Sequence, residues 1–201
     1  MPVLPGGATE GEHNRGPVIV ISGAPGSGKT TYAKRLSEDL GLRYFTSGQI
    51  FRELARRLGV TLEDLSRRAE EDPSIDLAID REVVRIALEG GVVIDSHLAG
   101  WTLTGVADVI VLVKAHPAVR VERISSREKK SISHVMRETF ERESSQWLRF
   151  ASYYGYDILD TSGFDLVVDT SVLGPEDIYA IIKRFVTAKL SKLGFLGSGD
   201  L

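Results

Sequence analysis

The sequence predicts an α/β fold, a doubly wound five-stranded parallel sheet flanked by helices, and three observations predict it. Short β-branched runs such as PVIVIS and DVIVLV lack the alternation of a half-exposed strand, which is how a strand buried on both faces of a parallel sheet reads. Segments of helical periodicity separate these runs, and alternating strand and helix is the pattern of doubly wound sheets. A glycine-rich turn joins the strongest strand directly to a helix. With 201 residues, 42% of them hydrophobic, one domain with a sizeable core is expected.

The elements follow in order. Residues 1–16 are rich in Gly, Pro and polar types, without the basic start and apolar stretch of a signal peptide, and are expected to be a disordered tail. Residues 17–193 are expected to form the domain. Strands are predicted at 17–22, 42–45, 92–95, 108–113 and 164–168; the second is the weakest run. Helices are predicted at 29–40, 48–58, 61–71, 75–88, 117–127, 131–154 and 175–193. Thr61 and Asp64 have capping-box spacing, Gly59 marks the turn before them, and Pro73 cannot sit inside the helix that precedes it. The closing residues 194–201 are expected to fray as a flexible tail.

Composition narrows the chemistry. There is no cysteine, which excludes disulfides, thiolate metal sites and cysteine nucleophiles and suits a reducing cytoplasm. The formal net charge of -3 attracts neither a nucleic-acid backbone nor an anionic membrane, and no apolar run reaches membrane-spanning length. No nucleic-acid or membrane partner is expected; the chain is expected to be a cytoplasmic monomer.

The turn after the first strand is GAPGSGKT, Gly23, Ala24, Pro25, Gly26, Ser27, Gly28, Lys29 and Thr30, which matches G-x-x-x-x-G-K-S/T in full. A polyphosphate needs convergent donors, and the glycines let successive backbone N–H groups curl into one concavity ahead of a helix dipole. The fold expectation thereby becomes that of a P-loop NTPase, with ATP and Mg2+ as ligands. Lys29 would reach the β and γ phosphates, Thr30 would ligate Mg2+, and Thr31 would meet the α phosphate. The motif alone leaves the reaction open, because GTPases, ATPases and small-molecule kinases share it.

Asp95 ends the third strand, where ligands of open α/β sheets bind, and could hold a magnesium-bound water or orient an acceptor phosphate; its alternative is a loop cap. Arg120, Arg123 and Arg127 recur at helical spacing, as a short closing lid would need in order to bring positive charge to a migrating phosphoryl group. Arg123 and Arg127 are the expected donors. Arg142, Gln146 and Arg149 lie at i, i+4 and i+7, one stripe of a helix facing one ligand.

These residues carry a resemblance to cytidylate kinases of the archaeal type. Ser47, Gly48, Phe51 and Arg52 match the S-G-x-x-F/Y-R start of that family's acceptor helix, and Asp95 with Leu98, Ala99, Gly100 and Trp101 resembles its D/E-G-R-L-A-G-W stretch. The resemblance implies that Ser47, Gly48 and Arg52 hold the acceptor monophosphate and nucleoside, that Arg142 and Arg149 contact the acceptor, and that Lys29, Asp95, Arg123 and Arg127 serve the transfer. His97 stands where the family has arginine, and Gln146 where an acidic residue helps read the cytosine amine. A histidine is shorter and only partly charged, and a glutamine can donate as well as accept. The resemblance implies ATP-dependent phosphorylation of CMP and dCMP. The alternatives are an adenylate kinase-like enzyme acting on AMP and a regulatory ATPase without a monophosphate acceptor.

Overall fold

The protein is described from a computed structural model over residues 15–197. Among these residues five strands form one parallel sheet in the order β2-β3-β1-β4-β5. They are β1 (Val18–Ser22), β2 (Arg43–Thr46), β3 (Val92–Asp95), β4 (Val109–Lys114) and β5 (Leu166–Asp169). The helices are α1 (Lys29–Asp39), α2 (Ser47–Leu58), α3 (Leu62–Glu71), α4 (Ser74–Glu89), α5 (Ala99–Thr102), α6 (Pro117–Glu128), α7 (Ile132–Arg149) and α8 (Pro175–Lys192). None of them is long and apolar enough to cross a membrane.

The unbroken apolar runs have the cause the sequence suggested. In β1, Ile19 and Ile21 pack against Leu36 of α1 and Ile178 and Ile182 of α8, while Val18 and Val20 pack against Ile79 and Val83 of α4 and Leu103. Alternate side chains thus enter two separate cores, and no position on the strand can be polar until Ser22. A third, smaller cluster of Val121, Ile124 and Val135 holds α6 to α7. The α6–α7 hairpin is the segment expected from the sequence as a short lid.

The register brings the functional ends together. Asp95 pairs with Ile21 on one side and Thr46 on the other, so the carboxyl ends of β1, β2 and β3 open at one rim of the sheet. The order places β1 centrally, with the chain turning to opposite sides from it, and clefts form at such switch points.

Strand and helix boundaries fall within a residue or two of expectation, with three instructive differences. The short helix α5 was not expected: four residues carry too little periodicity to register. The helix expected from residue 48 begins one residue earlier, at Ser47, with Thr46 as its cap and no side-chain cap hydrogen bond there. The segment expected as one helix over 131–154 is α7 followed by a π-helical turn, Phe150–Tyr154, which ends at Gly155 in the left-handed region. Thr61 does cap α3, its Oγ1 accepting from the Asp64 N–H at 3.0 Å.

Of the expected tails, residues 1–14 and 198–201 lie outside the described residues. Arg15 donates to the Val106 carbonyl at 2.9 Å, and Phe195 and Leu196 pack against the α1–α8 core.

Candidate active site

The turn between β1 and α1 builds the first wall of a cavity of about 570 Å³. Its backbone needs glycine: Gly26 has φ 79°, and a Cβ there would come within 2.7 Å of the Arg120 carbonyl oxygen. The loop is braced from three sides. Arg120 donates to the Pro25 carbonyl at 3.1 Å and is held by a fork to Glu143. Arg123 donates to the Gly26 carbonyl at 3.3 Å and to both Oγ1 and the carbonyl of Thr170. The Thr170 hydroxyl in turn donates to the Ser27 carbonyl at 3.0 Å.

Lys29 follows this loop and is buried, and burial pulls its ammonium below the ordinary value, with the charges of Arg142, Arg127 and Arg52 adding to the effect and Asp95 opposing it. A buried cation amid other cations is poised for an anion. Asp95 is 2% exposed; its Oδ2 accepts from the Thr30 hydroxyl at 2.6 Å and from the Tyr44 hydroxyl at 2.8 Å. Its Oδ1 is buried without a hydrogen-bond partner. An orphaned carboxylate oxygen beside a threonine hydroxyl fits a hard divalent cation or its water shell, since such ions take oxygen ligands and keep several waters. Burial and the neighbouring Asp95 push the Tyr44 hydroxyl well above its usual range, so it remains a donor.

Helix α2 supplies the second wall. The Ser47 hydroxyl donates to Ser96 Oγ at 2.9 Å, tying the start of α2 to the end of β3. Arg52 folds back over that start, so closely that a Cβ on Gly48 would lie 3.3 Å from its Nη1. A side chain at 48 would crowd the guanidinium that lies across the first helical turn.

Helix α7 supplies the third wall. Arg142 and Gln146 line the cavity, and the Arg142 Nε is buried without a hydrogen-bond partner. His97 and Gln146 bond to each other: Nδ1 and Oε1 are 2.8 Å apart, so the imidazole N–H donates to the amide carbonyl. Phe150 meets the imidazole edge-on at 5.7 Å between ring centres. Burial and the nearby Lys29 charge push His97 down to about 4, so it is neutral near pH 7. It therefore lacks the fixed positive charge an arginine would bring.

The floor comes from α4 and the end of α7. Arg149, 3% exposed, pairs with Asp76, 8% exposed, at 3.2 Å to Oδ1 and 3.1 Å to Oδ2. One turn on, Asp80 accepts from the Tyr154 hydroxyl of the π-helical turn, and burial raises it to about 6.

Every acceptor-side residue expected from the sequence, Ser47, Gly48, Arg52, Asp95, His97, Arg142, Gln146 and Arg149, lines this one cavity, as do Pro25, Gly26, Gly28, Lys29, Thr30, Thr31, Arg123 and Arg127. Gly23, Ala24 and Ser27 shape the loop without lining it. Among the described residues Arg127 pairs with its neighbour Glu128 at 2.8 Å and is largely exposed, whereas Arg123 spends its donors on the phosphate loop and Thr170. Sequence reasoning missed Tyr44, Asp76 and Asp80. The signal for Asp76 was available: it occupies a position of the α4 stripe that continues through Ile79, Val83 and Ile86, where an apolar residue belongs.

Comparison with known proteins gives the same direction. Residues 18–172 match the profile of the cytidylate kinase-like family. The chain is 56% identical over 163 residues to a cytidylate kinase of Aeropyrum pernix, covering 81% of this chain and 95% of that protein. It is 47% identical over 169 residues to a cytidylate kinase of Staphylothermus marinus, covering 84% and 96%. In three dimensions it resembles a shikimate kinase from Bacteroides thetaiotaomicron, with TM-score 0.56 and 15% identity over 87% of this chain and 98% of that one, a likeness of fold.

Proposed function

The chain belongs to the cytidylate kinase-like family and is a nucleoside monophosphate kinase, and from that premise we propose that it catalyses ATP + CMP → ADP + CDP, with dCMP as a further acceptor. The observation that carries the reading is one cavity joining the phosphate loop to a second set of cationic side chains, Arg52, Arg127 and Arg142. A hydrolase needs only the first set.

In this reading the loop N–H groups and Lys29 hold the triphosphate, and Arg52 and Arg142 hold the acceptor phosphate. Thr30 and Asp95 would hold Mg2+, which supplies charge neutralisation on the phosphates when bound. Arg127, on the lid, brings positive charge to the migrating group. Arg123 and Arg120 keep the phosphate loop in shape. Both nucleotides are then fixed in line, and catalysis is positioning plus electrostatic stabilisation, without a covalent enzyme intermediate.

The test is an acceptor panel with ATP and Mg2+. CMP-dependent ADP release, negligible without acceptor and faster with CMP than with AMP, is the expected result. A clear preference for AMP, or hydrolysis indifferent to added monophosphate, overturns the assignment.

A further inference from the structure

Helix α7 carries more than the cavity needs. Its inner positions Arg142, Gln146 and Arg149 line the cavity, and Val135 holds it to α6. Half a turn away, Ile132, Met136, Phe140 and Trp147 recur at helical spacing, all of them exposed and none of them part of the three apolar clusters. Phe140 is 72% exposed, and Leu148 beside the stripe is exposed as well. Apolar side chains scattered singly over a surface need no cause, but a run of them along one helix marks a face that something covers.

The charges beside the stripe say what kind of cover fits. Arg137 and Glu141 lie exposed along one flank, one turn apart, and do not pair with each other. Arg137 reaches the His134 ring at 3.5 Å, and Glu141 has no ion-pair partner among the described residues. Arginine ahead of acid is the poorer order for a pair within one helix. An anionic membrane would call for a flank rich in Lys and Arg, whereas here one arginine stands beside Glu141 and Glu143. A second α7 does fit, because a two-fold axis reverses the order of charges along the flank. With the axis crossing at the level of Thr139, Phe140 lies near its own copy. Arg137 of each chain then lies opposite Glu141 of the other, since both are two residues from the axis.

We propose that the exposed face of α7 is a homodimer interface, in which two copies pair antiparallel through Ile132, Met136, Phe140 and Trp147 and are flanked by two symmetric Arg137–Glu141 ion pairs. This departs from the expected monomer and does not depend on which nucleotide is the acceptor. It leaves the cavity open, because the pairing stripe and the stripe of Arg142, Gln146 and Arg149 lie on opposite sides of the helix. One helix pair is smaller than the roughly 1,200–2,000 Å² of a stable interface, so the dimer is expected to dissociate on dilution.

The experiment is sedimentation velocity on the full chain over a range of concentrations. Wild type is expected to show a monomer–dimer equilibrium, and Phe140→Ser to weaken it at least about tenfold. Arg137→Glu and Glu141→Arg each set like charges against one another at both symmetric positions, and each is expected to weaken the dimer at least about tenfold. Mixed in equal amounts, these two variants are expected to pair again, because every contact across that dimer is once more of opposite sign. The double variant Arg137→Glu/Glu141→Arg is expected to pair like wild type. All the substituted side chains are exposed, and unchanged circular dichroism establishes that each variant folds. A wild type that stays monomeric up to about 1 mM overturns the proposal. So does a mixture that stays monomeric, or a monomeric wild type that sediments with vesicles of anionic phospholipid, which would assign the face to a membrane surface.

Discussion

At the scale of single residues, the site sets protons as much as charges. The folded pKa of His97, about 4, lies below its ordinary 6.5, so the sign of its effect on stability is fixed. As pH falls through 6.5 the unfolded chain gains a proton that the folded chain refuses until about 4, and stability is lost across that window. His97→Asn keeps an N–H donor toward Gln146 and cannot titrate. Chemical denaturation at a series of pH values is expected to show wild type losing roughly 3 kcal/mol relative to this variant between neutral pH and pH 4; parallel curves would refute it. The two positions that depart from the family's pattern, 97 and 146, were legible as departures in the sequence. That they are hydrogen-bonded to one another was not, because 49 residues separate them and only the fold of α7 across the end of β3 brings them together.

At the scale of elements, what could be read depended on length and regularity. β1 and the phosphate loop are local: a run of five buried residues followed by a motif with its own backbone chemistry. α5 and the π-helical turn were invisible because both are single turns dictated by tertiary contacts, the first by the Gly100 N–H donating to Ser22 Oγ at 2.9 Å, the second by Tyr153 donating to the Ala69 carbonyl at 2.9 Å. The three arginines of α6 look equivalent in sequence yet divide the work. Arg120 and Arg123 point back to the phosphate loop, and Arg127, one turn further along, is left to the cavity. Arg127→Ala is therefore expected to lower kcat by about a hundredfold while KM for both nucleotides and the melting temperature change little. A fall confined to KM would assign it to ground-state binding.

At the scale of the whole molecule, the sheet is a fixed frame and the cavity is lined from three sides of it, by the rim of β1 to β3, by α2 with α4, and by α7. Sequence patterning conveyed the frame because burial on both faces of a parallel sheet leaves a one-dimensional trace. It conveyed the floor poorly, because an acidic residue such as Asp80, off the apolar stripe of α4, reads as solvated helix surface until the neighbouring helix is known. α7 touches everything that matters: Glu143 on it grips Arg120 beneath the phosphate loop, and Arg149, six residues later, grips Asp76 at the floor. Those two grips are separated by about 9 Å of helix at 1.5 Å per residue. A rod pinned at both ends cannot shift at one without being felt at the other, so the two nucleotides share a single mechanical element. Their affinities should then be thermodynamically linked, each tightening the other by the same factor. Calorimetric titration of CMP with and without a non-hydrolysable ATP analogue is expected to give a several-fold difference in Kd that disappears in Glu143→Gln, and equal affinities in wild type would mean that the rod carries no message.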